Sequence, residues 1–259
     1  MKWILSFAIL AVMTFQSAFP AFSASNQPIN WGFQKGKDGQ QAQAGKQLDD
    51  LLAKYGAFYK DSDKEKVIYL TFDNGYENGF TENILNTLKK EKVPAAFFVT
   101  GHYLQSAPDL VKRMKKEGHI IGNHSWHHPD LTQVSDEKFR SELQLVKDET
   151  KRLTKQKKMD YLRPPRGVLS ERTLQLAKEE GYTHVMWSLA FVDWNTDDQK
   201  GWKYSYDHIM NQIHPGAILL LHTVSKDNAE ALPKVIKDLK KQGYRFESLD
   251  HYVKANKSK

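Results

Sequence analysis

A chain of 259 residues, 40% hydrophobic and 27% charged, is long enough to bury a large core in one sizeable domain. It has no cysteine, which excludes disulfides, cysteine-ligated zinc and thiol catalysis together. The formal charge of +7 suits an anionic polymer or surface, yet the basic runs Lys112-Arg113, Lys115-Lys116 and Lys155, Lys157-Lys158 lack interleaved aromatics and read as solvated helix faces, so no nucleic-acid partner is expected.

At the N-terminus, Lys2 precedes an apolar run from Trp3 to Phe15, and Ala21-Phe22-Ser23 supplies small residues at the spacing a signal peptidase reads. Residues 1–24 are therefore expected to be an export signal, cleaved near Ser23 to Ser25. The run falls short of the roughly 20 residues needed to span a bilayer. After cleavage the protein is expected outside the cytoplasm, soluble, not inserted in a membrane, and monomeric.

Residues 25–65 read as a polar, mostly irregular N-terminal extension with one short helix, packed on the domain by Trp31, Phe33, Leu51, Leu52, Tyr55 and Phe58. Regular patterning covers 66–259. Val67–Phe72 predicts a buried strand, and Phe80, Ile84 and Leu88 recur at helical spacing after it. Ala95–Val99 is the next strand, Leu110, Val111 and Met114 mark a helix, and His119–Gly122 is a third strand. A long helix follows, with an apolar face of Phe139, Leu143, Val146, Thr150 and Leu153. Tyr161-Leu162, Thr183–Trp187, Ala217–Leu221 and Tyr244–Phe246 are further short strands, with helices near 170–180, 205–213 and 229–242.

Strand and helix alternate, which predicts an α/β fold with a parallel sheet and helical crossovers; about seven strands favour a barrel over an open sheet. The chemically suggestive segments then share one address. Asp73-Asn74, His124–His128, Arg163–Gly167, Asp193-Trp194 and His222 are all expected after strands, at their carboxyl ends, where barrel active sites are built. His124 and His128, an i, i+4 pair, can reach one ion as neutral imidazoles. Taken singly, each residue also has a plain structural explanation. Asp73 can cap a turn with Gly75, Arg163 can be an ordinary ion-pair partner, and Leu220 and Trp194 can be core. His127, His102, His119, His184, His208 and His214 are read as structural.

Thr71-Phe72-Asp73-Asn74-Gly75, His124-Ser125-Trp126-His127-His128, Arg163-Pro164-Pro165-Arg166-Gly167, Asp193-Trp194 and Leu220-Leu221-His222 resemble, in order and spacing, the five motifs of the polysaccharide deacetylases, the NodB-like family 4 carbohydrate esterases. The resemblance covers roughly residues 66 to 250. With Gly75-Tyr76-Glu77-Asn78-Gly79, the first motif looks most like that of peptidoglycan N-acetylmuramic acid deacetylases, which make δ-lactam in the spore cortex. It implies a distorted (β/α) barrel and hydrolysis of an acetamide by metal-assisted attack of water. Asp73 is then the base, Arg163 orients it, His222 is the acid and Asp193 tunes that acid. Leu220 and Trp194 line the pocket for the acetyl methyl, and a zinc-like divalent ion is held by His124 and His128.

Two departures from the family pattern matter. Where the family places a second aspartate as metal ligand, this chain has Asn74, so one negative ligand is lost and the ion is expected to bind weakly. Where the third motif carries an aromatic residue, this chain has Arg166, which favours a substrate with a carboxylate near the reacting acetamide. N-acetylmuramic acid has one on its lactyl group. The expected partner is accordingly the glycan strand of peptidoglycan, in the cell wall or spore cortex; the alternatives are deacetylation of GlcNAc-containing polymers or a non-catalytic saccharide-binding barrel.

Overall fold

The computed structural model describes residues 24–62 and 65–257. The expected leader, except Ala24, lies outside the described residues. Strands and helices run in the order β1 (Ile29–Asn30), α1 (Lys46–Tyr55), β2 (Val67–Asn74), α2 (Thr81–Glu91), β3 (Ala95–Val99), α3 (Gly101–Ser106), α4 (Pro108–Lys116) and β4 (Ile120–Asn123). They continue with α5 (Asp136–Thr154), β5 (Tyr161–Leu162), a 3-10 turn at Pro165–Gly167, β6 (Val168–Leu169), α6 (Glu171–Glu179) and β7 (Thr183–His184). The last elements are α7 (Trp202–Gln212), β8 (Ala217–His222), α8 (Lys226–Lys241), β9 (Arg245–Phe246) and α9 (Leu249–Lys257).

All eight residues of β2 are buried, as expected of a central parallel strand covered by helices on one face and packed core on the other. It anchors a seven-stranded parallel sheet in the order β7-β5-β4-β3-β2-β8, with β9 paired to the first two residues of β2. Phe72 and Phe97 stack at 5.1 Å between neighbouring strands, and both are fully buried. Each such burial contributes about 1.5–3 kcal/mol.

The sheet curls into a half-barrel, and among the described residues no strand closes it. The expected strand at Thr183–Trp187 ends at His184, because the carbonyls of Val185 and Met186 turn to accept from Arg163 at 3.0 and 3.3 Å. Isolated bridges fill the gap between β7 and β8 instead: Leu189 with Leu219, Phe58 with Val185, and Lys60 with Ala217. Residues of the lead segment thus stand where a further strand would lie. Asp193-Trp194 consequently follows the bridge at Leu189 rather than a strand. The two-residue pair β1–β6 and the helices α3 and α9 had no signal in the periodicity, being too short or too polar to show one.

Candidate active site

The carboxyl ends of the strands open onto a cavity of about 1000 Å³. Asp73, His124, His128, Arg166, Trp194, Leu220 and His222 line it; Arg163, Asp193 and Asn74 stand behind its wall. The structure therefore brings seven of the expected residues to one surface and three into its support.

Arg163 is fully buried and is the hub of that support. Its Nη1 donates to Asp73 Oδ1 at 2.9 Å and to Thr71 Oγ1 at 2.7 Å, its Nε donates to the Val185 carbonyl, and the guanidinium lies 4.3 Å from the Phe98 ring centroid. A planar fork with fixed donors suits such a socket better than an ammonium would. Burial alone would raise the Asp73 carboxyl, but the opposing charges, that of Arg163 foremost, outweigh it and hold the group below the ordinary carboxylate range. Asp73 Oδ2 remains on the cavity side, 3.5 Å from His124 Nε2.

The histidine segment is a tight turn rather than a helix. Ser125 and His128 both have left-handed backbone, at φ 62° and 58°, uncommon for residues with a Cβ and sustained only by surrounding contacts. Those contacts are visible: Asn123 Oδ1 accepts from Ser125 N at 2.9 Å, and Ser125 Oγ accepts from His128 N at 3.0 Å. His127 is held by the buried carboxylate of Glu142 through both its backbone and its ring, and it still lines the cavity. Asn123 and Glu142 carry no motif signal, since a polar residue shows its partner only after folding.

The His124 and His128 rings lie 4.8 Å apart between centroids. His124 Nδ1 is 2.8 Å from the Arg163 carbonyl, which accepts only, so this nitrogen carries the proton and Nε2 presents its lone pair to the cavity. Burial lowers both imidazoles, His128 to about 4 with the neighbouring His124 adding to the effect, so both are neutral at physiological pH, as metal ligation requires. Asn74 is fully buried; its amide nitrogen donates to Thr223 Oγ1 at 2.8 Å, and its Oδ1 has no hydrogen-bond partner. No cluster of three or more His, Cys, Asp or Glu suited to a metal is present among the described residues. Two neutral imidazoles face the cavity, while Asn74, whose amide oxygen is unsatisfied, does not line it, so the donors the structure brings together fit at most a loosely held divalent ion.

On the opposite wall, the Asp193 carboxylate accepts from His222 Nδ1 at 2.7 Å and from the His222 backbone N–H at 2.8 Å. Burial works against the imidazolium, but Asp193, with Asp73 further off, outweighs it, and the His222 pKa is raised. Asn228, near the start of α8, donates its amide both to Asp193 Oδ2 and to the His222 carbonyl, a support the sequence did not announce. Trp194 packs edge-on to His222 at 5.4 Å and is half exposed, while Leu220 is buried beneath the cavity surface. Tyr76, His102, Gln105, Trp126 and Trp187 complete much of the lining. His102 and His127, both read as structural, thus belong to the cavity lining, His102 from the unexpected α3.

A family model described as polysaccharide deacetylase matches residues 60–185. The peptidoglycan-N-acetylmuramic acid deacetylase PdaA of Bacillus subtilis is 55% identical over 250 residues, which span 96% of this chain and 95% of that protein. The chain belongs to the polysaccharide deacetylases of carbohydrate esterase family 4. The solved structure of PdaA, a family 4 carbohydrate esterase, superposes with a TM-score of 0.88 at 56% identity, covering 90% of this deacetylase and 99% of PdaA. A peptidoglycan-N-acetylglucosamine deacetylase of Bacillus cereus is more distant, 33% identical over 80% of this chain and 76% of its own length. The parallel half-barrel with covering helices is the fold of these relatives, as the motifs implied.

Proposed function

We propose that this deacetylase removes the N-acetyl group from N-acetylmuramic acid residues of peptidoglycan glycan strands, outside the cytoplasm. The observation that carries the substrate is Arg166. Arg166 lines the cavity that also holds the histidine pair, its charge adds to the lowering of His128, and no ion pair to any carboxylate of the described residues engages it. A cation left unpaired at the rim of a reaction cavity suits an anionic substituent next to the acetamide, and the lactyl carboxylate of muramic acid is such a group. The name of PdaA supports the same reading. The freed amine would stand beside that carboxyl, which suits closure to a δ-lactam, and the spore cortex is the compartment we assign. Among the described residues no helix is long and apolar enough to cross a membrane.

In this mechanism Leu220 and Trp194 bracket the acetyl methyl, and the carbonyl carbon sits over Asp73. Asp73 Oδ2 takes a proton from the attacking water, while Arg163 holds Oδ1 and fixes the carboxylate plane. The Arg166 backbone N–H serves the developing oxyanion. Asp193 occupies His222 Nδ1, leaving Nε2–H to protonate the amine nitrogen as the C–N bond breaks and acetate departs. His124 and His128 would hold the divalent ion with Asn74 as its neutral partner; when bound, it supplies polarisation of the carbonyl and acidification of water.

The test is mass-spectrometric measurement of acetate loss from defined muramic-acid-containing and GlcNAc-only glycans, with wild type and Arg166→Tyr. Loss of a charge-assisted contact of about 1.5–3 kcal/mol lowers kcat/KM on the muramyl glycan by about ten- to more than a hundredfold and spares GlcNAc. Unchanged muramyl activity refutes the carboxylate contact.

A further inference from the structure

The turn that carries Arg166 is held from outside the matched barrel. Arg166 has a left-handed backbone, φ 60° and ψ 5°, within the Pro165–Gly167 turn. A residue with a Cβ keeps such a conformation only where its surroundings impose it. On one side of the turn lies Trp31, from the lead segment that precedes the family match at residue 60. Its backbone N–H donates to the Gly167 carbonyl at 2.8 Å, and its indole N–H donates to the Trp187 carbonyl at 3.0 Å. Directly after the turn, β6 pairs antiparallel with β1, Leu169 opposite Ile29 and Val168 opposite Asn30.

The turn packs tightly on Trp187, the residue that Trp31 holds. A Cβ on Gly167, itself at φ 66°, would come within 2.7 Å of the Trp187 ring and 3.4 Å of Trp31 Cβ. Gly167 and Trp187 both line the cavity, so Trp31 touches two of its walls from behind without entering it. The segment is itself tied down on both sides of Trp31. Arg172 N donates to the Ser25 carbonyl at 2.9 Å, Asn26 Nδ2 donates to the Thr132 carbonyl, and Tyr59 packs edge-on to the Trp31 ring at 5.0 Å. Trp31 thus holds Gly167, the residue after Arg166, through its backbone N–H, and through its indole it holds Trp187, whose ring packs against Gly167; the anchored strap sets where that guanidinium starts.

We propose that Trp31 is a positioning residue for substrate selection: it fixes the turn bearing Arg166, so that recognition of the substrate carboxylate depends on a segment outside the barrel. The inference rests on the reading of Arg166 given above. The experiment compares wild type, Trp31→Phe, Trp31→Ala, Arg166→Tyr and the double variants on one muramyl oligosaccharide, as the free lactyl acid and as its methyl ester. Trp31→Phe keeps the ring and removes only the indole N–H, so it remains informative if Trp31→Ala folds poorly. For the free acid, KM rises about three- to tenfold in Trp31→Phe with kcat within about twofold, the size expected from one neutral hydrogen bond. In the Arg166→Tyr background, and on the methyl ester, Trp31→Phe leaves KM unchanged. Effects of the two substitutions that multiply, or equal effects on acid and ester, overturn the positioning role. If Arg166→Tyr itself leaves the KM of the free acid unchanged, it is the carboxylate reading that fails.

Discussion

Replacing Asp193 by asparagine removes the charge that faces the proposed acid while keeping the side-chain shape. In the native protein the carboxylate receives His222 Nδ1–H at 2.7 Å, the His222 backbone N–H at 2.8 Å and an Asn228 amide hydrogen. Burial opposes the imidazolium, and Asp193 is the first of the charges that reverse its effect. A hydrogen bond to a charged group is worth about 1.5–3 kcal/mol, so its loss lowers the His222 pKa. As the acid, His222 acts when protonated, so kcat/KM falls as pH rises through its pKa, and in Asp193→Asn that fall begins at correspondingly lower pH. The rate loss is greatest at pH above the wild-type pKa, where the protonated fraction of both enzymes is small and the mutant's is smaller. Stability follows the same sign. Because the folded-state pKa is raised, the pair's contribution is fully present below the unfolded value and is lost as pH rises through the folded one. The assay is the pH–rate profile of both enzymes, with NMR titration of the His222 ring as a direct check. A basic limb at the same pH in wild type and mutant refutes the assignment of His222 and Asp193.

Asp73→Asn lowers turnover by at least the roughly 10²–10⁴-fold typical of losing an acid–base group, and it costs about 3 kcal/mol of stability because Arg163, fully buried, loses its carboxylate partner; kinetics and urea unfolding read the two effects separately. Asn74→Asp supplies the missing anionic ligand, so calorimetric titration shows tighter zinc binding than in wild type; equal affinity means that position 74 does not reach the ion. Gly101→Ala places a Cβ 2.2 Å from the Trp126 ring, which must move out of the cavity wall. The expected cost is about 1–3 kcal/mol, measured by denaturant midpoint, together with reduced activity.

Sequence alone determined the central strands and which side chains stand at their cavity ends. The continuous apolar runs 67–72, 95–99 and 217–221 have no fate but burial between layers, and each of these strands leads to its polar terminus at the cavity end. Asp73, His124, His128 and His222 were therefore legible from their place after such runs, and Arg163 and Asp193 from the ordered motifs. What the tertiary structure decided is how these groups are held. Asn123, Glu142 and Asn228 look like surface residues in a helical or loop pattern, and their roles exist only because folding brings each against a partner 2 to 35 positions away. The closure between β7 and β8 was equally hidden, since single bridges at Phe58, Lys60 and Leu189 leave no period to read. Trp31 was visible as an aromatic anchor, but that it grips the Arg166 turn depends on a contact across 136 residues, which hydrophobic patterning does not specify.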